Sequence, residues 1–190
     1  MEVDIMATRG RIAIKENGKY RYIYNHYDSY LDNLGVTLFK FYKDADKVRE
    51  LINLGNVSSV GETVENTATC YKEHMDLDNE HKGTVAFFRE GRNWKDFDYY
   101  NPDESWEDCK PTEVDTLEEV LDVENVLGEE FVYIFDVEKN KWYMAYNREG
   151  FELKDLDVIL HTSENVKRYA ELIGIAPQYQ QKFCDRCLSA

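Results

Sequence analysis

Apolar and polar positions first alternate with a period of two. In "RIAIKENGKYRYIYN", Ile12 and Ile14 are spaced by two, as are Tyr20, Tyr22 and Tyr24, which is the signature of strands with one side buried. Between them Asn17-Gly18 suits a type I′ turn, whose two central residues both need positive φ. The pattern predicts a β-hairpin.

The period then lengthens. Leu34, Leu38, Phe39 and Tyr42 stand at helical spacing in "LGVTLFKFYKD", with Asp32 or Asn33 placed to cap. A second helix is predicted over "DADKVRELINLG", capped by Asp44, with Val48, Leu51 and Ile52 as its apolar stripe and Gly55 at its end. "NVSSVGE" reads as a loop, residues 62–83 show no clear period, and "TVAFFRE" reads as a short strand. "DTLEEVLD" predicts a short helix capped by Asp115, with Leu117, Val120 and Leu121 inward. "EFVYIFDVEKNKWYMAYN" predicts a second hairpin. "TSENVKRYAELIG" predicts a final helix capped by Thr162 or Ser163.

Hairpins interspersed with single helices give the expected fold class: α+β, an antiparallel sheet built from hairpins with three to four short helices packed on it. The length of 190 residues fits a single domain over 1–190. A chain of this size buries roughly 70% of its unfolded surface without help from disulfides. The expected core comprises 7–60, 84–90 and 131–175, with an exposed acidic excursion over 96–130 and a mobile C-terminal tail over 176–190.

No apolar run approaches the roughly 20 residues of a membrane-spanning helix, and "MEVDIMATRG" is not built like a signal peptide. Met6 is an alternative start. Four cysteines without framework spacing suit reduced thiols in a cytoplasm. The expectation is a cytoplasmic protein that has no membrane partner.

Charge sharpens the picture. The net charge of −15 is concentrated: residues 96–130 carry fourteen acidic side chains and one lysine, Lys110, a net of −13, whereas residues 1–60 sum to +1. Direct nucleic-acid binding is not expected from such a balance. In the acidic stretch, Asp96, Asp98, Asp103, Glu104, Glu107 and Asp108 are interleaved with Phe97, Tyr99, Tyr100 and Trp106. Carboxylates with aromatic anchors suit a surface that meets a basic protein, charge speeding encounter and rings supplying burial. A solubilising face is the plainer reading of the same residues.

Catalytic and metal motifs are incomplete. His26 and Asp28, two apart at a strand end, would share a side and form an acid–base pair, but no third group is placed for nucleophilic catalysis. The plainer reading has Asp28 starting a turn and His26 bonding the loop. Arg9 and Arg11 share a strand face and suit a phosphate or carboxylate; pairing with Asp28 or Asp32 is the competing reading. Together with Tyr30, these residues (Arg9, Arg11, His26, Asp28) form an alternative ligand site. Cys70, His74, Cys184 and Cys187 make a four-ligand metal set on paper, but a lone CxxC is weak support, and neither a metal nor a cofactor is expected. Gly-rich phosphate loops are absent.

The segment "TRGRIAIKENGKYRYIYNHYDSYLDNLGVTLFKFYKDADKVRELINLGNVSSVG" resembles a family of uncharacterised phage and prophage proteins. The resemblance is carried by Arg9, Arg11, Ile12, Gly18, Ile23, Tyr24, His26, Asp28, Tyr30 and Gly35, over about the first third of the chain. Tyr27, Ser29 and Leu31 stand where that family has tryptophan, glycine and proline. The resemblance implies a mobile-element origin. Combined with the charge layout, it leads to an expected function: a phage-encoded inhibitor of a bacterial defence system, most concretely an anti-CRISPR. Its partner would be a basic host protein, a Cas9–guide RNA complex whose basic channels and PAM-reading arginines suit an acidic ligand. The alternative is a protein that binds or hydrolyses a nucleotide signal at the His26–Asp28 loop with Arg9 and Arg11.

Overall fold

The computed structural model describes residues 8–64, 83–86, 109–122, 129–147 and 150–162. The acidic and aromatic residues from Asp96 to Asp108, the four candidate metal ligands, nearly all of the predicted final helix and the tail lie outside the described residues.

The first hairpin forms as the alternation predicts. Strands β1 (Arg9–Glu16) and β2 (Lys19–Asn25) pair antiparallel with Ile12 opposite Ile23. Asn17 and Gly18 both have positive φ, 53° and 74°. Next come a π-helical turn (Leu31–Gly35), α1 (Val36–Phe41) and α2 (Ala45–Asn53). The Asp44 carboxylate caps α2 by accepting from Lys47 N at 2.9 Å, and Gly55 beyond its end has φ 74°, as the sequence predicts. The turn at Leu31 has no side-chain cap, so neither Asp32 nor Asn33 plays that part. "NVSSVGE" contains a strand, β3 (Val57–Ser59), followed by β4 (Val85–Ala86) and β5 (Thr112–Val114). Helix α3 (Leu117–Leu121) is capped by Thr116 and Glu119 in a reciprocal capping box, not by Asp115. The second hairpin is β6 (Glu129–Asp136) and β7 (Lys141–Tyr146), and β8 (Lys154–Asp155) and α4 (Leu156–Thr162) follow.

The class is α+β, but the sheet is mixed rather than wholly antiparallel. Its strand order is β4-β3-β2-β1-β6-β7-β8, with β5 pairing alongside β2. The two hairpins join through their first strands, and β1 and β6 run parallel, with Ile12 beside Tyr133 and Ile14 beside Phe135. Parallel neighbours need a long connection, and the segment between β2 and β6 supplies it. Strand β6 is buried along nearly its whole length, so it reads as a near-continuous apolar run, as a central strand covered on both faces does.

One face carries Ile12, Ile14, Ile23, Tyr133, Phe135 and Trp142 against the π-helical turn, α1, α2 and α4. The other carries Ala13, Val132, Ile134 and Ala145 beneath Val120 of α3, with Tyr20, Tyr22, Leu117 and Leu121 packed around them. Polar groups in the core are tied down: Tyr42 donates to Gly61 O at 3.0 Å, and Trp142 Nε1 donates to Tyr42 O at 2.7 Å. Among the described residues, no helix is long and apolar enough to cross a membrane.

Close approach at the start of β1 requires a glycine. A Cβ on Gly10 would stand 2.6 Å from Phe131 O and 2.9 Å from Ser29 Cβ. Gly10→Ala must therefore push β6 and the Ser29 turn apart, at about 1–3 kcal/mol. Urea unfolding should show a lowered midpoint for this variant, and an unchanged midpoint would refute the contact.

Candidate functional site

The end of β2 is a sharply turned corner built on Asn25. This buried residue donates from Nδ2 to Tyr27 O at 2.6 Å and to Ser29 Oγ at 2.7 Å. Ser29 N donates to Thr8 O at 2.9 Å, and Tyr133 Oη donates to Ser29 O at 2.9 Å. His26 N and Tyr27 N bond Val57 O and Ser58 O. The corner is thus held by the residue that precedes β1, by β3 and by β6 at once. Its reversal falls on Asp28, which has φ 57°; Asp and Asn are among the few non-glycine residues that take this left-handed conformation readily.

The turn separates residues that sequence spacing places together. Strand pairing ends at Asn25, so His26 and Asp28 do not follow strand alternation. His26 Nδ1 lies 2.9 Å from Tyr24 Oη, and its ring packs edge-on to Tyr27, with centroids 4.3 Å apart. The Asp28 carboxylate instead accepts from Tyr30 Oη at 2.8 Å. Burial lowers the His26 pKa to about 4, helped by the charge of Arg9. Tyr24 is pushed to about 12, chiefly by burial, with Arg9 opposing and Glu129 adding to the rise. His26 is a neutral ring in a partly desolvated cluster, with a guanidinium as the charge acting on it.

Arg11 has a defined set of partners. Its Nε and Nη2 donate to Glu129 Oε2 at 3.0 and 2.9 Å. Its Nη1 donates to the carbonyls of Val120 and Asp122, each at 3.1 Å, and the guanidinium lies 4.7 Å from the centre of the Tyr22 ring. Only 11% of the Arg11 side chain and 5% of the Glu129 side chain is exposed. The competing reading of an ion pair is the one realised, but the acid is Glu129 rather than Asp28 or Asp32. The two carbonyls belong to the C-terminal turn of α3, where a cation is favourable and the last acceptors lack intrahelical donors. Arg11 therefore fastens α3 to the sheet, and these contacts occupy its guanidinium where a phosphate would bind.

A small pocket opens beside the corner. It has a volume of about 200 Å³ and is lined by Tyr27, Asp28, Asn33, Leu34, Ser59, Val60, Gly61 and Gly83. Of the predicted ligand-site residues, Arg9, Arg11 and His26 gather with Tyr24 and Glu129, whereas Asp28 faces this pocket and bonds Tyr30. Sequence reasoning missed Glu129, Asn33, Ser59 and Gly61. Only the strand parity of Tyr22 and Tyr24 with Arg11 hinted at the first cluster, and no local pattern marks the pocket. Among the described residues, no three or more His, Cys, Asp or Glu side chains gather as metal ligands.

No protein-family model, curated protein or solved structure matches the chain.

Two outcomes follow from this geometry. Because the folded pKa of His26 is near 4 and the unfolded value about 6.5, the unfolded chain binds more protons between those limits. The contribution of His26 to stability is therefore complete above the upper limit, and is lost as pH falls toward the lower one. Urea unfolding across that range should show a slope that His26→Gln flattens, and an NMR titration midpoint of His26 near 6.5 would refute its burial. Separately, Arg11→Met leaves Glu129 buried without its cation and should cost about 3–5 kcal/mol. A double-mutant cycle with Glu129→Gln should recover part of that loss, and strict additivity would show that the pair is not coupled.

Proposed function

We propose that the protein is an acidic inhibitor that binds a basic partner protein, and that it is most concretely a mobile-element counter-defence protein acting in the bacterial host cytoplasm. In that form it binds a Cas9–guide RNA complex and blocks DNA engagement. The observation that carries this reading is the charge layout, fourteen carboxylates against one lysine over 96–130.

Part of that stretch is described, and five of its carboxylates face outward while Glu129 is buried against Arg11. Glu113, Asp115, Glu118, Glu119 and Asp122 are exposed on the unit of β5, which pairs with β2, and α3, whose end Arg11 fastens to the sheet. Asp115 meets Lys19 at 3.2 Å; Glu113, Glu118 and Asp122 have no cationic partner among the described residues. Fixed carboxylates of one sign attract a basic groove and need no reorganisation on docking. Cas9 offers such a target, since it holds nucleic acid in basic channels and reads the PAM with arginines.

The nucleotide-signal reading finds less support. Arg11 is held by Glu129 and the end of α3, and Asp28 is turned away from His26 toward Tyr30.

The test is binding of the full chain to purified Cas9–guide complex, with DNA cleavage as the second readout. Affinity should fall steeply between low and physiological salt. Neutralising Asp103, Glu104, Glu107 and Asp108 together to Asn and Gln should weaken binding by at least about tenfold, equivalent to about 1.4 kcal/mol. Undiminished inhibition by that variant, or no binding at low salt, would overturn the proposal. A pull-down from host lysate would then identify the true partner.

A further inference from the structure

The pocket at the corner is lined by a carboxylate that has no ion pair among the described residues. Asp28 lines it and uses one carboxylate oxygen to accept from Tyr30. Asp32 stands close by: burial raises its carboxyl pKa, a backbone hydrogen bond opposes the rise, and the charge of Asp28 adds to it. Neither aspartate has an ion pair among the described residues. The remaining wall is made by Tyr27, Asn33, Leu34, Ser59 and Val60. Gly61, whose N and O are taken up by Thr84 and Tyr42, and Gly83 complete the lining.

This combination selects a ligand class. A carboxylate beside an aromatic face attracts a cationic group, the ring through its quadrupole and the carboxylate by charge-assisted hydrogen bonds. The volume of about 200 Å³ lies below the roughly 300–1,000 Å³ of sites for drug-sized ligands, so it suits one functional group on a short apolar stem. A hard metal ion would need six or more oxygen ligands, and no cluster of three acidic or other metal-binding side chains is found among the described residues. We propose that the pocket between Tyr27–Asp28, Asn33–Leu34 and Ser59–Gly61 is a binding site for an organic cation, a guanidinium or alkylammonium group. The site goes beyond the partner-binding reading and does not depend on it. Its ligand is either a free small molecule or a basic side chain of a protein.

The test uses the full chain, isotope-labelled for NMR, titrated separately with butylguanidinium, N-acetyl-arginine amide and the neutral N-acetyl-glutamine amide. The cationic probes should give saturable shifts at the amides of Tyr27, Asp28, Asn33, Ser59, Gly61 and Gly83, and the neutral probe none. Asp28→Asn removes the charge but keeps a residue that tolerates the left-handed backbone, so the fold should persist while half-saturation rises at least tenfold. Asp32→Asn should weaken binding less. Tighter binding of butylguanidinium points to a free small molecule, and tighter binding of N-acetyl-arginine amide points to a protein side chain. Shifts that never saturate, that spread over Glu113–Asp122, or that persist unchanged in Asp28→Asn overturn the site. So does a saturable response to calcium or magnesium where the organic probes give none. With no partner protein in the sample, failure here leaves the inhibitor reading standing, and the converse also holds.

Discussion

The parallel seam between β1 and β6 is the constraint on which the rest of the structure depends. It joins residues about 120 positions apart in sequence, Arg9 with Glu129 through Lys15 with Asp136. Loop closure over such a distance is entropically costly but grows only slowly with length, so the seam must be reinforced by what it brings together. Three kinds of contact do this. Gly10 allows Phe131 O to come close. Apolar side chains of both strands fill the cores on the two faces. At the ends of the seam, Arg11 meets Glu129 and Lys15 meets Asp136, the latter at 2.8 Å. A one-residue slip would exchange the two faces and break both ion pairs.

The seam also decides where functional surfaces lie. Tyr133, presented from β6, donates to Ser29 O and so helps to fix the corner that carries Asp28. Arg11, presented from β1 on the opposite face, holds the end of α3 through two carbonyls and with it the exposed carboxylates of the β5–α3 unit. The pocket sits by Leu34, which belongs to the helix-covered core, whereas Val120 packs into the other. A cationic ligand at the corner and a basic partner at α3, as proposed, would therefore engage opposite faces of one sheet.

How much of this was legible in the sequence follows from the range of each interaction. The Asn17-Gly18 turn, the Asp44 cap, Gly55 and the alternation of both hairpins are local chemistry, and each appears where the residues predict it. The parallel pairing was not legible, because nothing near β1 encodes its partner, and an antiparallel sheet is the natural extrapolation from hairpins. Val57–Ser59 read as a loop because a strand of three residues shows no period. The partner of Arg11 was missed for the same reason as the seam. His26 and Asp28 fall on one side only if strand alternation is carried three residues past Asn25, to Asp28, whose left-handed φ breaks it.

A buried ion pair is poor evidence of stability, since desolvation cancels much of the attraction. The Arg11–Glu129 pair makes better sense as a device for orientation. The β5–α3 unit carries five exposed carboxylates between Glu113 and Asp122, and like charges at that density repel one another. Strand β5 is tied by its pairing with β2, and the five-residue α3 buries Val120 fully with Leu117 and Leu121 packed around it. Docking by apolar contact alone would leave such a short helix free to fray. Arg11 offsets the repulsion at the point where the helix most needs a donor, its C-terminal carbonyls, while Glu129 and the Tyr22 ring fix the direction of the guanidinium. An arginine under an acidic unit thus lets the surface keep its charge and its shape together, which the proposed docking on a basic groove would require.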